Sequence, residues 1–128
     1  MKTLIAVSLL VFGLLGAMTD RAAAQASGPT CLHIVELEEI AQFFSLGTGG
    51  GQAILTGESI TFGDAYTGSG YVVGNEFVFS LASGLLPGVL EGVLSLSTGK
   101  GFGSVTYADT GEIQTLTYSA FSPPCVLP

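Results

Sequence analysis

The chain has 128 residues and a net charge of −7, from 10 acidic and 3 basic side chains. Nucleic-acid binding needs Lys and Arg to neutralise phosphates, so this balance excludes nucleic acid as a partner and disfavours anionic membrane surfaces. The length suffices for one small domain.

The first predicted element is a secretory signal peptide over residues 1–26. An apolar run, residues 4–17, follows Lys2, and alanines then offer cleavage sites after Ala24 or after Ala26. The run is shorter than the about 20 apolar residues of a transmembrane helix, and no later segment matches it. We therefore expect a secreted or periplasmic protein with no membrane span in its mature chain.

The mature chain is predicted to be more acidic than the whole. Lys2, Asp20 and Arg21 leave with the signal peptide, so Lys100 is the one base that faces nine acids. This charge keeps an apolar, glycine-rich chain soluble.

Two cysteines remain, Cys31 and Cys125, near the two ends of the mature chain. In an exported protein such a pair predicts one disulfide, which here closes a loop of about 95 residues and contributes roughly 4–5 kcal/mol. Because the chain has a single His and no Cys-x-x-Cys spacing, we predict no metal site and no cofactor. The disulfide also requires the chain ends to meet.

Residues 27–46 are predicted to form a disulfide-tethered helical segment. Apolar side chains recur at helical intervals in it, namely Leu32, Val35, Ile40, Phe43 and Phe44. A strand is the alternative, because Ile34 and Val35 are β-branched.

The glycine-rich run of residues 47–52, GTGGGQ, is predicted to be a hinge between this helix and the rest of the chain. A phosphate-binding loop precedes its helix, whereas these glycines follow one and face its electronegative end. The run is therefore interpreted as a connection and not as a nucleotide site.

Residues 53–128 are predicted to form a small antiparallel meander barrel of six to seven strands, with a β-sandwich as the alternative. The best hairpin signal is Gly74-Asn75, which puts Val72 opposite Phe77. Glycines inside strands fit the bends and close backbone approaches of a closed barrel, namely Gly68, Gly70, Gly92, Gly101 and Gly103. In outline such an exported meander resembles small calycin-type and allene-oxide-cyclase-type barrels, without a shared motif, so the likeness implies no site.

No catalytic residue is predicted. His33 is the one histidine, and no Gly-x-Ser-x-Gly elbow accompanies it. Glu91 lies among apolar residues, but alternation groups Leu90 and Leu94 on the opposite face, so we expect Glu91 to face outward.

Four strand aromatics are the predicted ligand-binding residues, lining an apolar pocket in the barrel: Phe77, Phe79, Tyr107 and Tyr118. The sequence thus favours an exported, non-catalytic binding module for a small apolar molecule or a protein partner. One alternative is a self-assembling extracellular structural protein, since self-association is compatible with Gly-, Ser- and Thr-rich strands. The other is a cofactor-free enzyme that uses a carboxylate and a Tyr inside the barrel.

Overall fold

In the computed structural model, residues 25–26, 29–84 and 88–127 are described. The predicted signal peptide lies outside the described residues, apart from its last two positions. The elements are β1 (Gln25–Ala26), β2 (Thr30–Ile34), a 3₁₀ turn (Val35–Leu37), β3 (Glu39–Gly49), β4 (Gln52–Ser59), β5 (Ala65–Val73), β6 (Glu76–Ser83), β7 (Gly88–Ser95), β8 (Lys100–Tyr107) and β9 (Ile113–Phe121).

Strands β2 to β9 form a closed antiparallel barrel. Each pairs with the next strand in sequence, and β9 pairs with β2 to complete the circle, while the short β1 adds to the edge of β3 beyond β2. The predicted meander barrel is confirmed, with eight strands in place of six or seven, and the β-sandwich is not adopted. Because the barrel is closed, every barrel strand has a neighbouring strand on each side, and none is an edge strand.

The predicted N-terminal helix is wrong. Its residues form β2, the 3₁₀ turn and β3, and Glu38 closes the turn in the left-handed region at φ 53°. The physical reason is a period of two: Leu32 and Ile34 on β2, then Ala41 and Phe43 on β3, are buried in alternation. Buried positions are even-numbered at Leu32 and Ile34 but odd-numbered at Ala41 and Phe43, because the turn lies between the two strands. Taken across both strands, the apolar residues therefore recur at intervals that resemble those of a helix.

The glycine-rich run lies at a hairpin turn. Gly47 and Gly49 belong to β3, Gln52 begins β4, and the register shifts between Gly47 and Gly49 as at a β-bulge. Gly49, Gly50 and Gly51 all have positive φ, which only glycine adopts easily. Farther on, residues 60–64 connect β4 to β5.

The hairpin predicted at Gly74-Asn75 is confirmed, register included. Val72 lies opposite Phe77 and Gly70 opposite Phe79, as the two-residue turn requires, and Gly74 has φ 61°. Gly111, in the turn before β9, also has a positive φ, at 74°.

The inward side chains of all eight strands form one apolar core. Its largest fully buried members are Ile34, Tyr66, Leu81, Leu116 and Tyr118. Glycines give the aromatic rings their space: a Cβ on Gly57 would meet the ring of Phe43, and one on Gly70 would meet that of Phe77.

The predicted disulfide is confirmed. Cys31 and Cys125 are bonded with their Cα atoms 5.3 Å apart and 94 positions apart in sequence. Cys31 belongs to β2, the first barrel strand, and Cys125 follows β9, the last. The bond therefore links the first and last barrel strands at the place where the barrel closes.

Candidate functional site

The predicted ligand-binding aromatics belong to the packed interior of the barrel. Phe79 meets Tyr118 edge to face with ring centroids 5.1 Å apart, and Phe77 stacks on Phe79 at 6.3 Å. Tyr107 is half-buried and apart from them, donating its hydroxyl to Oε1 of Gln114 at 2.9 Å. The structure therefore brings three of the four residues together as mutual packing partners.

Gly92 shows how completely this part of the interior is filled. A Cβ there would collide with the ring of Tyr118 and come within 2.8 Å of the ring of Phe79. The buried Tyr118 hydroxyl donates to the backbone carbonyl of Glu91 on β7 at 2.8 Å. The aromatic rings thus take up the volume in which an apolar molecule would have to bind.

One end of the barrel interior contains a buried carboxylate beside a tyrosine. The Tyr66 hydroxyl donates to Oε2 of Glu39 at 2.7 Å, and each residue is only 1% exposed. Nearby, Ser83 donates to Oδ2 of the buried Asp64 at 3.2 Å. These are the groups that a carboxylate-and-tyrosine enzyme would need, but here they bond to each other.

The electrostatics of this pair favour a structural role. Burial raises the pKa of Tyr66 far above its ordinary value, and the hydrogen bond to Glu39 raises it further. Tyr66 is therefore held as a protonated donor to the carboxylate, and so is not poised to act as a base.

Substitution Tyr66→Phe should lower the free energy of unfolding by about 2 kcal/mol, because it leaves a buried carboxylate oxygen of Glu39 without its donor. Urea unfolding followed by circular dichroism measures the change. The matched control is Tyr107→Phe, whose hydroxyl bonds to Gln114 in a half-buried position.

The control should lose less than about 1 kcal/mol. Replacing both members of the buried pair, as Glu39→Leu with Tyr66→Phe, should destabilise less than Tyr66→Phe alone, since no buried polar atom of the pair is then left without a partner. Equal losses for Tyr66→Phe and Tyr107→Phe would contradict the assigned role.

A row of apolar side chains crosses the outside of the barrel on four strands. Register pairs Tyr71 of β5 with Val78 of β6, Val78 with Val93 of β7, and Val93 with Phe102 of β8. Phe102 is 68% exposed and Tyr71 48%. Aromatic rings this exposed on a folded sheet mark a candidate contact surface.

A polar row runs beside the apolar one. It consists of Ser69, Ser80, Glu91 and Ser104, each in register with the next. Together the two rows line a shallow concave surface of about 500 Å³, here called the outer groove. Glu91 faces outward as expected, and it is the only charged one among the described residues that line the groove.

A second concave surface, of about 540 Å³, lies beside the disulfide. His33, Phe121 and Pro124 contribute to it, together with Val126 and Leu127 of the C-terminal segment. The sole His of the chain is thus placed at the surface, beside the segment that follows β9.

The described part of the chain contains neither a cluster of metal-binding side chains nor a membrane-spanning helix. No three His, Cys, Asp or Glu side chains lie there in a group that could hold a metal ion. No helix among the same residues reaches the length and apolarity needed to cross a membrane.

The fold and surface define the class: a disulfide-closed, eight-stranded antiparallel barrel with a filled interior and an apolar outer groove. No family model matches the chain, and neither the curated proteins nor the solved structures give a match.

Sequence reasoning missed both features that stand out here. The outer row was within reach, because the Gly74-Asn75 register already puts Tyr71 opposite Val78. The Glu39–Tyr66 pair was not, because a helix prediction assigns Glu39 to a solvated face.

Proposed function

We propose that the protein is an exported, non-catalytic binding module that holds a protein partner in its outer groove. The observation that carries the proposal is the row from Tyr71 to Phe102, exposed on a barrel whose interior is filled by its own side chains. Binding sites on protein surfaces concentrate their energy in such aromatic anchors.

Charge indicates the chemistry of the partner. The chain carries a net charge of −7, and Glu91 stands in the middle of the serine row beside the apolar row. A segment that presents apolar side chains together with Lys or Arg would satisfy both rows. We therefore propose a basic, amphipathic protein segment as the occupant.

Closure of the barrel limits how such a segment binds. Each of the four strands that line the groove, β5 to β8, is already paired with two neighbours, so a peptide cannot join the sheet there as an additional strand. The partner segment must then be recognised through its side chains, which contact the outward side chains of the barrel strands. The groove offers hydroxyls, apolar groups and one carboxylate for these contacts.

The two alternative functions have less support. Edge-to-edge assembly into a structural material needs free strand edges, and closure removes them from the barrel. A carboxylate-and-tyrosine enzyme needs a substrate to reach Glu39 and Tyr66, which are sealed from solvent. Export itself is supported by the disulfide, which forms and persists in oxidising compartments.

Substitution Phe102→Ser should weaken binding of a basic amphipathic probe about tenfold, because it removes the most exposed aromatic anchor. The probe is a labelled peptide of alternating Phe and Lys, and fluorescence anisotropy at low salt measures its dissociation constant. The matched control is Phe62→Ser, since Phe62 is 56% exposed on the β4–β5 turn, outside the groove.

Phe62→Ser should bind the probe like the unmodified protein. Glu91→Gln should reduce the preference for the Phe/Lys peptide over a Phe/Glu peptide, because it removes the groove's one charge. Equal weakening by Phe102→Ser and Phe62→Ser would show nonspecific adhesion of an apolar peptide and would overturn the assignment of the groove.

A further inference from the structure

We propose that the barrel opens at one defined place, the seam formed by β2 and β9, and that the carboxylate of Glu36 acts as an acid-sensitive latch on it. The seam is the one barrel ladder that does not join consecutive strands. Every other ladder joins strands that are separated by only two to five residues in sequence, whereas the seam joins the first and last strands of the barrel.

The seam is also the shortest ladder of the barrel. Four residue pairs form it, from Cys31 opposite Phe121 to Ile34 opposite Tyr118, against eight in the β5–β6 hairpin. Fewer backbone hydrogen bonds and no local turn make it the ladder whose separation disrupts least of the remaining fold.

The two ends of the seam are secured differently. At one end the Cys31–Cys125 disulfide is a covalent link. At the other end β2 stops at Ile34, opposite Tyr118, so residues 113–117 of β9 have no β2 residue opposite them. The disulfide therefore cannot prevent separation of the strands from the far end.

Glu36 replaces the missing rung at that far end. Its Oε1 accepts the backbone N–H of Thr117 at 2.6 Å, and its Oε2 accepts the Thr117 hydroxyl at 2.7 Å. The carboxylate reaches 81 positions along the chain to make this two-point contact. An ionised acceptor of this kind makes stronger hydrogen bonds than a neutral one.

Protonation would weaken the latch. The hydrogen bonds from Thr117 hold the pKa of Glu36 below its ordinary value of 4.5, and the nearby charge of His33 lowers it slightly further. Because the folded-state pKa is depressed, the stabilisation is present above pH 4.5 and is lost as the pH falls through the folded-state pKa.

Other titratable groups lie near the latch, but the carboxylate that accepts the hydrogen bonds of Thr117 is that of Glu36. Tyr118 lies one position along β9, with its pKa raised by burial and secondarily by the Glu36 charge. Glu38 stands at the end of the same turn, and Lys100 is in register with Ser119 of β9.

Native-state amide hydrogen exchange of the disulfide-bonded chain, followed by NMR, tests the proposal. The measured quantity is the protection factor, which is normalised for the intrinsic effect of pH on exchange. Between pH 7 and the lowest pH at which the protein stays folded, protection of amides in β2 and at 117–121 of β9 should fall more than that in β5 and β6.

Glu36→Gln at pH 7 should lower protection at Thr117 and across the seam by about threefold or more, and should remove most of the extra loss on acidification. Glu38→Gln is the matched control, an exposed carboxylate in the same turn whose side chain has no hydrogen bond among the described residues. It should behave like the unmodified protein.

Two results would overturn the proposal. One is seam protection that stays equal to that of β5 and β6 at both pH values, a comparison that needs no variant to fold. The other is an equal effect of Glu36→Gln and Glu38→Gln, which would assign any change to the net charge of the turn instead of to the latch.

Discussion

Loss of the Cys31–Cys125 disulfide is expected to lower the free energy of unfolding by about 4–5 kcal/mol, the largest effect of any single change considered. The bond joins positions 94 apart, so breaking it frees the whole segment between them in the unfolded state. The seam beside it has no turn of its own to compensate, because its strands lie at the two ends of the barrel.

Urea unfolding of the double variant Cys31→Ala, Cys125→Ala measures this loss. The control is the unmodified protein under reducing conditions. Reduction breaks the same disulfide but keeps both cysteine side chains. Since Cys31 is fully buried, the double variant should lose slightly more than the reduced protein. A loss below about 1 kcal/mol in both would contradict the view that the bond secures closure of the barrel.

Substitution Gly103→Ala is expected to destabilise the barrel by about 3 kcal/mol. A Cβ at Gly103 would collide with the backbone carbonyl of Glu91 and come within 2.6 Å of the Cα of Gly92. The Glu91 carbonyl also accepts the hydroxyl of Tyr118. The clash involves backbone atoms, so no side-chain rotation can relieve it and β7 has to move. That movement disturbs the hydrogen bond between Tyr118 and the Glu91 carbonyl.

Gly84→Ala is the matched control. A Cβ there would meet nothing closer than 3.5 Å, and its φ is not in the positive region. This variant should keep the original stability or gain a few tenths of a kcal/mol from a less flexible unfolded chain. Thermal unfolding of both variants checks the pair, and similar melting temperatures would contradict the close approach of β7 and β8 at Gly103.

The β5–β9 part of the barrel was predictable because its signals are local. A Gly74-Asn75 turn fixes the register of the strands beside it, so the pairing of Val72 with Phe77 followed from the sequence. The predicted disulfide added the long-range fact that the chain ends meet, which favours closure.

The region of β2 and β3 was not predictable in the same way. Its turn has no glycine, and Glu38 adopts the left-handed conformation instead. Without a recognisable turn, residues on two strands appear as one helical stripe. The buried position of Glu39 then follows only from the three-dimensional pairing with Tyr66, which lies 27 positions away.

The candidate site illustrates a similar division. Sequence pattern identified Phe79 and Tyr118 as apolar strand residues, but could not tell a lined pocket from a filled core. That distinction depends on the space left by Gly92, which the two rings occupy. By contrast, Phe102 and Tyr71 are exposed because alternation places them on the outer face, a pattern that is legible in sequence once the strands are known.

NMR chemical-shift mapping tests most directly whether the outer groove is the binding surface. The protein is titrated with the Phe/Lys peptide. The largest chemical-shift changes should fall on Tyr71, Val78, Val93 and Phe102. The signals of Glu91 should shift over the same range of peptide concentration, with free and bound protein in fast exchange at low salt. Shifts concentrated on the interior residues Leu81 and Leu116, or around His33, would contradict this assignment of the groove.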